Sequence, residues 1–344
     1  MTVDIKQALG KVIDGGDLSA AGMGAVMKQI MTGEATAAQI GAFLAALRMK
    51  GESIDEITAA AEVMRALAAR VTVDAQQLTD VVGTGGDGLR TFNISTAAMF
   101  IAAAAGGRMA KHGNRAASGA SGSADVLAAA GVPLDLPPAD VAKCIEQTGI
   151  GFMFAPQHHS AMKHAIGPRR EMGVRTIFNV LGPLTNPAGA ENFLLGVFSA
   201  ALTGPLARVL QKLGARRAMV VCADDGMDEI STAAPTRVAE LRDGEIREYQ
   251  ITPEDFGLAR STVDSLTVND AEQSLQIINQ VFAGGQGAAR DILLLNGGAA
   301  VYVAGRAATL TAGITCAAEV VDSGAAAGKM GEFVAFARGL GAGK

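Results

Sequence analysis

The chain of 344 residues is long enough to bury a sizeable core, and its length predicts two domains. Hydrophobic residues make up 49% of the chain and charged residues only 18%, which excludes an intrinsically disordered protein. The net charge of −5 argues against a broad surface for nucleic acid, which would need clustered cations, so any anion site must be local.

The cysteines indicate a reducing compartment. Cys144, Cys222 and Cys316 lie far apart, are odd in number and lack the spacing of metal ligands. The N-terminal stretch has no apolar signal core, and the longest apolar run, residues 97–107, is too short to span a membrane. We therefore expect a cytoplasmic protein with no membrane partner.

The first seventy residues predict helices only. Thr36 with Gln39, and Ser53 with Glu56, match the capping box that marks a helix start. The second box opens a helix predicted over residues 54–69, where apolar side chains recur at helical spacing. The many small residues of this region predict close helix packing.

From residue 78 the pattern changes to short β-prone runs that alternate with alanine-rich helical stretches. This alternation predicts a mainly parallel sheet flanked by helices. Runs at 236–241 and 245–251 bracket Asp243-Gly244, a hairpin turn signal, and predict an antiparallel pair. The other predicted strands are residues 80–82, 108–110, 150–154, 194–198, 218–222 and 292–295.

A glycine-rich loop follows the first predicted strand. VVGTGGDG, residues 81–88, places Gly83, Gly85 and Gly88 on the spacing of a dinucleotide fingerprint. That fold also needs an acid about twenty residues later to bind a ribose hydroxyl, and none occurs between Asp87 and Asp125. A dehydrogenase is therefore disfavoured, although glycines after a strand still let backbone N–H groups approach an anion.

Polar donors gather after the first two predicted strands. Asn93, Ser95 and Thr96 are expected at the start of a helix, whose positive end attracts anions. Lys111 and Arg115 follow the second strand and precede another small, donor-rich loop. Either loop alone is explained as a connection, but together they favour a ligand with two anionic ends, such as a phosphorylated sugar diphosphate. The second loop contains Ser118, Gly119, Ser121 and Ser123.

Four carboxylates lie just after the predicted strand at 218–222. The stretch ADDGMDEIST contains Asp224, Asp225, Asp228 and Glu229. By itself this run is best explained as a solvated acidic turn. If the donor loops bind a diphosphate, the same acids suit Mg²⁺, which commonly joins carboxylates to substrate phosphates.

Seven motifs together resemble the anthranilate phosphoribosyltransferase family of tryptophan biosynthesis. They occur in family order over roughly residues 80–232, and they read GTGGDG, NIST, KHGNR, SGSADVL, GFMFAPQHH, VRTIFNVLGPLTNPA and DGMDE. The resemblance implies transfer of a phosphoribosyl group from phosphoribosyl pyrophosphate to the amine of anthranilate, with Mg²⁺ as cofactor. It implies a small helical domain and a larger α/β domain with a mainly parallel sheet.

The resemblance also implies roles for individual residues. Asp228, Glu229 and Ser95 are expected to hold Mg²⁺, and Arg169 is expected near the anthranilate carboxylate. His112 is a possible proton acceptor, with no other acid or base assigned. The residues expected to bind phosphoribosyl pyrophosphate are Gly83, Gly85, Gly86, Asp87, Thr91, Asn93, Ser95, Thr96, Lys111, Asn114, Ser118, Gly119, Ser121 and Ser123. Those expected to bind anthranilate are Gly83, His112, Asn114, His158, His159, Arg169, Gly182 and Pro183.

The resemblance further implies a discontinuous helical domain, residues 1–70 with 164–187, that mediates a homodimer. Residues 71–163 with 188–344 would form the α/β domain. Two departures from the family pattern stand out: Ala120 replaces a common cation, and Cys222-Ala223 replaces a common His-Gly. The alternatives are a pyrimidine-nucleoside phosphorylase-like enzyme and a catalytically silent relative that binds nucleic acid.

Overall fold

Four helices precede the first strand in the computed structural model of the chain, which describes residues 3–74, 76–116 and 120–342. They are α1 (Ile5–Ile13), α2 (Ala20–Thr32), α3 (Ala37–Lys50) and α4 (Ile54–Leu67). Both predicted capping boxes are present, one at the start of α3 and one at the start of α4. Helix α4 ends two residues earlier than predicted, because the backbone N–H of Ala69 bonds the carbonyl of His158 at 2.8 Å.

Seven strands form one mixed sheet in the order β3-β2-β1-β4-β5-β6-β7. The first five strands in that order are parallel, and β6 and β7 are added as the predicted antiparallel hairpin. All the carboxyl ends of the parallel strands therefore meet at one edge. The strands are β1 (Leu78–Gly83), β2 (Arg108–Gly113), β3 (Ile150–Phe154), β4 (Asn192–Gly196), β5 (Arg217–Ala223), β6 (Thr236–Arg242) and β7 (Glu245–Ile251).

Helices cover the sheet, which confirms the predicted fold class. Those between β1 and β5 are α5 (Ile94–Ala104), α6 (Ser123–Ala129), α7 (Pro138–Thr148), α8 (Ala155–His158), α9 (Lys163–Met172), α10 (Phe178–Leu184) and α11 (Thr203–Lys212). Those after β7 are α12 (Ala271–Phe282), α13 (Ala288–Val303), α14 (Leu310–Asp322) and α15 (Ala325–Gly341). No helix of the described residues is long and apolar enough to cross a membrane.

One predicted strand is wrong. Residues 292–295 lie inside α13, whose residues from Ile292 to Val303 are all buried. The helix packs between α5, α14 and the sheet, so it is apolar on every side and shows no amphipathic period. A short apolar run of this kind does not distinguish a buried strand from a buried helix.

The chain returns to the N-terminal helices after β3. Helix α9 packs against α2 and α3, and α10 packs against α4. Arg65 near the end of α4 adds a polar link, since its guanidinium donates to the carbonyls of Leu184 (2.7 Å) and Leu213 (3.1 Å). These carbonyls belong to the ends of α10 and α11, where a cation is favourable to the helix dipole.

Candidate active site

The carboxyl edge of the parallel strands carries most of the predicted site residues. Gly83 ends β1, and Lys111 and His112 lie near the end of β2. Gly196 ends β4 beside Gly83 in register, and the acidic stretch follows β5. In an open α/β sheet this edge is where ligands bind.

The glycines of the first loop have two different physical roles. Gly85, Gly86 and Gly88 have φ values of +64°, +76° and +79°, in the left-handed region that other residues rarely adopt. Gly83 has ordinary backbone angles, but a Cβ there would overlap the Asp228 carboxylate. The loop therefore turns at three glycines and meets the acids at a fourth.

Two of the four acids face the site, Asp228 at this loop and Glu229 at the start of α5. The backbone N–H of Gly85 donates to Oδ2 of Asp228 at 2.6 Å, and the N–H of Ser95 donates to Oε1 of Glu229 at 3.0 Å. Burial and the nearby Asp87 carboxylate raise the pKa of Asp228 to about 7. Burial and the Asp228 charge raise the pKa of Glu229 to about 8.

The other two acids build the turn instead. Asp224 accepts hydrogen bonds from Arg237 (3.1 Å) and Gln250 (3.0 Å) at the hairpin. Asp225 accepts from the Ser231 hydroxyl at 2.6 Å and from the N–H of Met227 at 3.1 Å. The acidic stretch is thus a structural turn that presents one carboxylate pair to the site.

That carboxylate pair fits Mg²⁺ shared with a substrate. Among the described residues no three His, Cys, Asp or Glu side chains gather closely enough to hold an ion by themselves. Asp228 and Glu229 nevertheless carry raised carboxyl pKa values, because each is buried and lies near another carboxylate, Asp87 for Asp228 and Asp228 for Glu229. Mg²⁺ is commonly bound by one or two carboxylates plus substrate phosphates, which matches this incomplete donor set.

Lys111 is a buried cation at the centre of the site. Its ammonium donates to the Val81 carbonyl and, at 3.2 Å, to the hydroxyl of Ser95. Burial lowers the pKa of Lys111, and the charges of Asp80, Glu229 and Asp228 oppose that shift. The cation therefore lies between the acid pair and a third acid in the sheet.

Asp80, that third acid, anchors the backbone next to Lys111. It is fully buried in β1, where its carboxylate accepts from the N–H of His112 (3.2 Å) and from the side-chain amide of Asn186 (2.8 Å). The same amide donates to the Ala110 carbonyl at 2.7 Å. Burial raises the pKa of Asp80 to about 6, while Lys111 opposes that rise. Asn186 thus ties the segment after α10 to the middle of the sheet.

The histidines form one wall beside this network. The rings of His112 and His159 lie 5.0 Å apart, and Nδ1 of His112 is 3.2 Å from the Gly182 carbonyl. Burial and neighbouring histidines lower the pKa of His112 to about 3 and that of His159 to about 4. Both Nε2 atoms are buried and have no hydrogen-bond partner within the described part of the chain. His158 turns elsewhere, with Nδ1 bonded to the Ala69 carbonyl at 2.8 Å.

Asn93, at the start of α5, ties that helix to the second donor loop and to α12. Its side-chain amide donates to the Ser121 carbonyl at 3.2 Å, and its Oδ1 accepts from the Ser121 hydroxyl. Ser274 of α12 accepts from the Asn93 N–H at 2.9 Å and donates to the same Oδ1 at 2.8 Å. Because Oδ1 accepts from both the Ser121 and Ser274 hydroxyls, the amide orientation is set, and its nitrogen points at the Ser121 carbonyl of the second loop.

The remaining predicted contacts are spread around these groups. The buried hydroxyl of Thr96 has no partner among the described residues, and the Asn114 side chain accepts from the N–H of Arg115 at 2.8 Å. Thr91 forms an isolated bridge with Thr267. The hydroxyl of Ser123 donates to the Asn114 carbonyl at 3.4 Å. Ser118 and Gly119 lie outside the described residues.

Arg169 lies on α9, on the helical side of the site. Its guanidinium carbon is 5.0 Å from the ring centroid of Phe178, and burial lowers the pKa of the guanidinium. The guanidinium makes no hydrogen bond or ion pair with another described residue. Phe178 begins α10, which also carries Gly182 and Pro183, so this one helix contacts both Arg169 and His112.

Sequence reasoning missed several residues that shape the site. No sequence motif predicts a role for Asp80, Ser274 or Gly196, and Asn186 is predicted only as part of a turn. The charge of Asp80 inside an apolar strand run was a usable signal. Ser274 and Gly196 carried no such signal, because their importance lies in contacts with distant parts of the chain.

Comparison with known proteins agrees with this geometry. The profile of the glycosyl transferase family a/b domain matches residues 75–327, and that of the family's helical bundle domain matches residues 6–68. The anthranilate phosphoribosyltransferase of Thioalkalivibrio sulfidiphilus is 61% identical over 97% of this chain and 99% of its own. That of Marinobacter nauticus is 56% identical over 98% of this chain and 99% of its own.

Solved structures are similar over nearly the whole chain. The crystal structure of anthranilate phosphoribosyltransferase from Thermus thermophilus superposes with a TM-score of 0.91 at 42% identity, covering 96% of this chain and 99% of that one. The Saccharomyces cerevisiae enzyme, in complex with PRPP and Mg, has a TM-score of 0.89 at 24% identity. It covers 97% of this chain and 98% of its own, and at that identity it shows the shared fold.

Proposed function

The chain belongs to the anthranilate phosphoribosyltransferase family, and on that premise we propose which of its residues serve each step of the reaction. It is a pentosyltransferase of tryptophan biosynthesis that moves the phosphoribosyl group of phosphoribosyl pyrophosphate to the amine of anthranilate. The observation that carries the residue assignment is the carboxylate pair, with Asp228 directed at a glycine loop with left-handed turns and Glu229 at the start of α5.

The glycine loop and its neighbours bind phosphoribosyl pyrophosphate in this proposal. Backbone N–H groups of the loop other than that of Gly85, which bonds Asp228, supply donors to the diphosphate, and Lys111 and the positive end of α5 supply positive charge. Asp228, Glu229 and the hydroxyl of Ser95 would hold Mg²⁺. When bound there, Mg²⁺ neutralises charge on the departing pyrophosphate. Asn93 and Ser121 orient the second loop toward the other anionic end.

Arg169 and the histidine wall bind anthranilate. A half-buried guanidinium whose donors are not engaged by other described residues is suited to fork onto a carboxylate. His112, His159 and Gly182 line the side of the pocket beside the sheet. Because both histidines stay neutral at pH 7, they offer anthranilate an uncharged wall.

The chemistry then needs positioning more than proton abstraction. The anthranilate nitrogen forms a bond to the anomeric carbon as the bond from that carbon to pyrophosphate breaks, and the amine proton leaves afterward. The aromatic amine is uncharged at neutral pH, so its lone pair is already available. The low pKa of His112, about 3, makes it a weak proton acceptor, which favours loss of the proton to solvent.

We propose the discontinuous domain division given above, residues 1–70 with 164–187 and 71–163 with 188–344. The packing of α9 against α2 and α3 supports it.

Large apolar side chains exposed on the helical part support a homodimer, with Met49 89% and Ile13 66% exposed. Light scattering should give twice the chain mass, and Met49→Asp should give a monomer. A monomeric unmodified protein would exclude the dimer. The free cysteines support a cytoplasmic location.

The test is the loss of anthranilate fluorescence on mixing with phosphoribosyl pyrophosphate and Mg²⁺. Asp228→Asn should reduce turnover strongly at every Mg²⁺ concentration. Arg169→Ala should raise the KM for anthranilate about 10- to 100-fold, which corresponds to the free energy lost with one hydrogen bond to a charged group. Arg170→Ala, at an exposed arginine on the same helix, is the matched control and should behave as the unmodified protein.

The possible results of these assays distinguish the proposed transferase from the two alternative functions. Failure of the unmodified protein to consume anthranilate while it still binds phosphoribosyl pyrophosphate would exclude the assigned acceptor. Cleavage of a pyrimidine nucleoside by free phosphate would favour the phosphorylase alternative. A salt-sensitive shift of DNA would favour the nucleic-acid-binding alternative, which the 61% identity to a phosphoribosyltransferase disfavours.

A further inference from the structure

The segment between α9 and α10 reaches across to the glycine loop through one arginine. Arg175 lies two residues after Gly173, the residue that ends α9 with a φ of +61°. Its guanidinium donates to the carbonyl of Gly86, and its central carbon lies 4.1 Å from the ring centroid of Phe198. Sequence reasoning assigned Arg175 no role.

The backbone of Arg175 is anchored separately from its side chain. Arg48, in the last turn of α3, donates to the Arg175 carbonyl at 2.5 Å. Phe198, beneath the guanidinium, is itself joined to the glycine loop, since its N–H bonds the Thr84 hydroxyl at 3.1 Å. The side chain is therefore held between a fixed backbone and a fixed aromatic ring.

Holding the Gly86 carbonyl determines how the rest of the loop faces. In a trans peptide the C=O of one residue and the N–H of the next point in opposite directions. With the Gly86 carbonyl turned toward Arg175, the N–H of Asp87 is turned away from it. One residue earlier, the N–H of Gly85 is bonded to Asp228. The two anchors thus orient the Thr84–Gly85 and Gly86–Asp87 peptide planes, on either side of the Gly85–Gly86 peptide.

An arginine suits this position better than other residues. Its planar guanidinium can stack on Phe198 and donate to a carbonyl at the same time. The guanidinium packs closely against Gly86, because a Cβ on Gly86 would lie 3.4 Å from the nearest nitrogen of Arg175. Since glycines with positive φ have wide conformational freedom, a loop built on three of them needs an external restraint.

We propose that Arg175 is a positioning residue for the phosphoribosyl transfer, which holds the glycine loop in the geometry that binds phosphoribosyl pyrophosphate. This inference rests on the proposed function for the identity of that ligand. Arg175 is exposed and acts through the Gly86 carbonyl, so it affects binding of the sugar diphosphate and leaves the anthranilate pocket unchanged.

The test compares Arg175→Met and Arg175→Lys with Arg170→Met. Arg170 is an exposed arginine of α9 that makes no hydrogen bond or ion pair with the described residues, so its substitution changes the net charge equally. Calorimetry with phosphoribosyl pyrophosphate and Mg²⁺ should give a Kd about tenfold higher for Arg175→Met. Arg175→Lys, which keeps a donor, should fall between, and Arg170→Met should match the unmodified protein.

Kinetics supply a readout that a general loss of structure would not. The KM for phosphoribosyl pyrophosphate should rise in Arg175→Met, while the KM for anthranilate at saturating phosphoribosyl pyrophosphate and the thermal midpoint stay the same. An unchanged Kd in Arg175→Met, or an equal loss in Arg170→Met, would overturn the proposal. The calorimetry needs no acceptor, so failure of the anthranilate reaction would refute the proposed function alone.

Discussion

Gly196 offers the sharpest test of how the acid pair is placed. A Cβ at this position, the end of β4, would overlap the backbone carbonyl of Asp228. Overlap with backbone cannot be relieved by rotating a side chain. Strand β4 pairs with β1 on one side and β5 on the other, so it cannot shift without breaking two ladders. In Gly196→Ala the acidic turn itself must move.

The size of the effect follows from ordinary packing distances. Non-bonded heavy atoms in contact lie about 3.5 Å apart, and the new Cβ would lie less than half that distance from the Asp228 carbonyl oxygen, so the turn must move by more than about 1 Å. A misplacement of about 1 Å can reduce a rate by about 100-fold, and overpacking a core costs about 1–3 kcal/mol. We therefore expect kcat/KM to fall by about 100-fold while the protein still folds, with a weaker response to Mg²⁺.

The assay is initial rates over a Mg²⁺ titration, with thermal unfolding followed by circular dichroism. Gly10→Ala is the matched control, because Gly10 lies in α1 and a Cβ there meets nothing within 4 Å. It should keep full activity and gain up to about 1 kcal/mol of stability. A folded Gly196→Ala protein with kcat/KM within about threefold of the unmodified enzyme and the same Mg²⁺ dependence would refute the reasoning.

Three further predictions concern buried polar groups, each checked by chemical denaturation. Glu56→Gln should lower the free energy of unfolding by about 1–3 kcal/mol, because Lys50 loses the buried carboxylate 2.8 Å away and keeps only the exposed Asp17 carboxylate. Asn186→Ala should lower it by about 1–3 kcal/mol, because Asp80 loses a buried donor. Burial and His158 lower the pKa of His159 to about 4, so its contribution to stability is complete above pH 6.5 and is lost as pH falls toward 4. His159→Gln should make that loss shallower by up to about 1.4 kcal/mol per pH unit.

Exposed groups provide the controls for the first two of these predictions. Glu332→Gln removes an exposed ion pair with Lys329, 2.6 Å long, and should cost less than about 1 kcal/mol. Asn269→Ala, at an exposed amide, should leave stability nearly unchanged. A cost for Glu56→Gln or Asn186→Ala no larger than its control, or an unchanged pH slope in His159→Gln, would contradict the corresponding prediction.

Local features of this protein were readable from the sequence because they depend on neighbours in the chain. Capping boxes act over three residues, and the Asp243-Gly244 turn over two, so both were predicted correctly. The helix–strand alternation predicted the fold class for the same reason. The family resemblance was equally local, since each motif is a short run, and relatives at 55–61% identity support it.

Hydrophobic periodicity did not predict the right secondary structure where an element is buried on all sides. Residues 292–295 belong to a helix that the fold encloses, so the sequence carries no polar face to reveal its period. The acidic stretch was ambiguous for a related reason. Only the positions of the hairpin and the glycine loop decide that Asp224 and Asp225 bond the turn while Asp228 and Glu229 face the site.

The sequence by itself determined the family, the fold class, the turning glycines and the residue types of the site. The tertiary structure alone decided which groups hold them in place. Asp80 meets Asn186 across 106 positions of the chain, and Asn93 meets Ser274 across 181. Such contacts leave no local pattern, because they form only after the sheet has brought distant segments to one edge, where packing and hydrogen bonding then select the residues that fit.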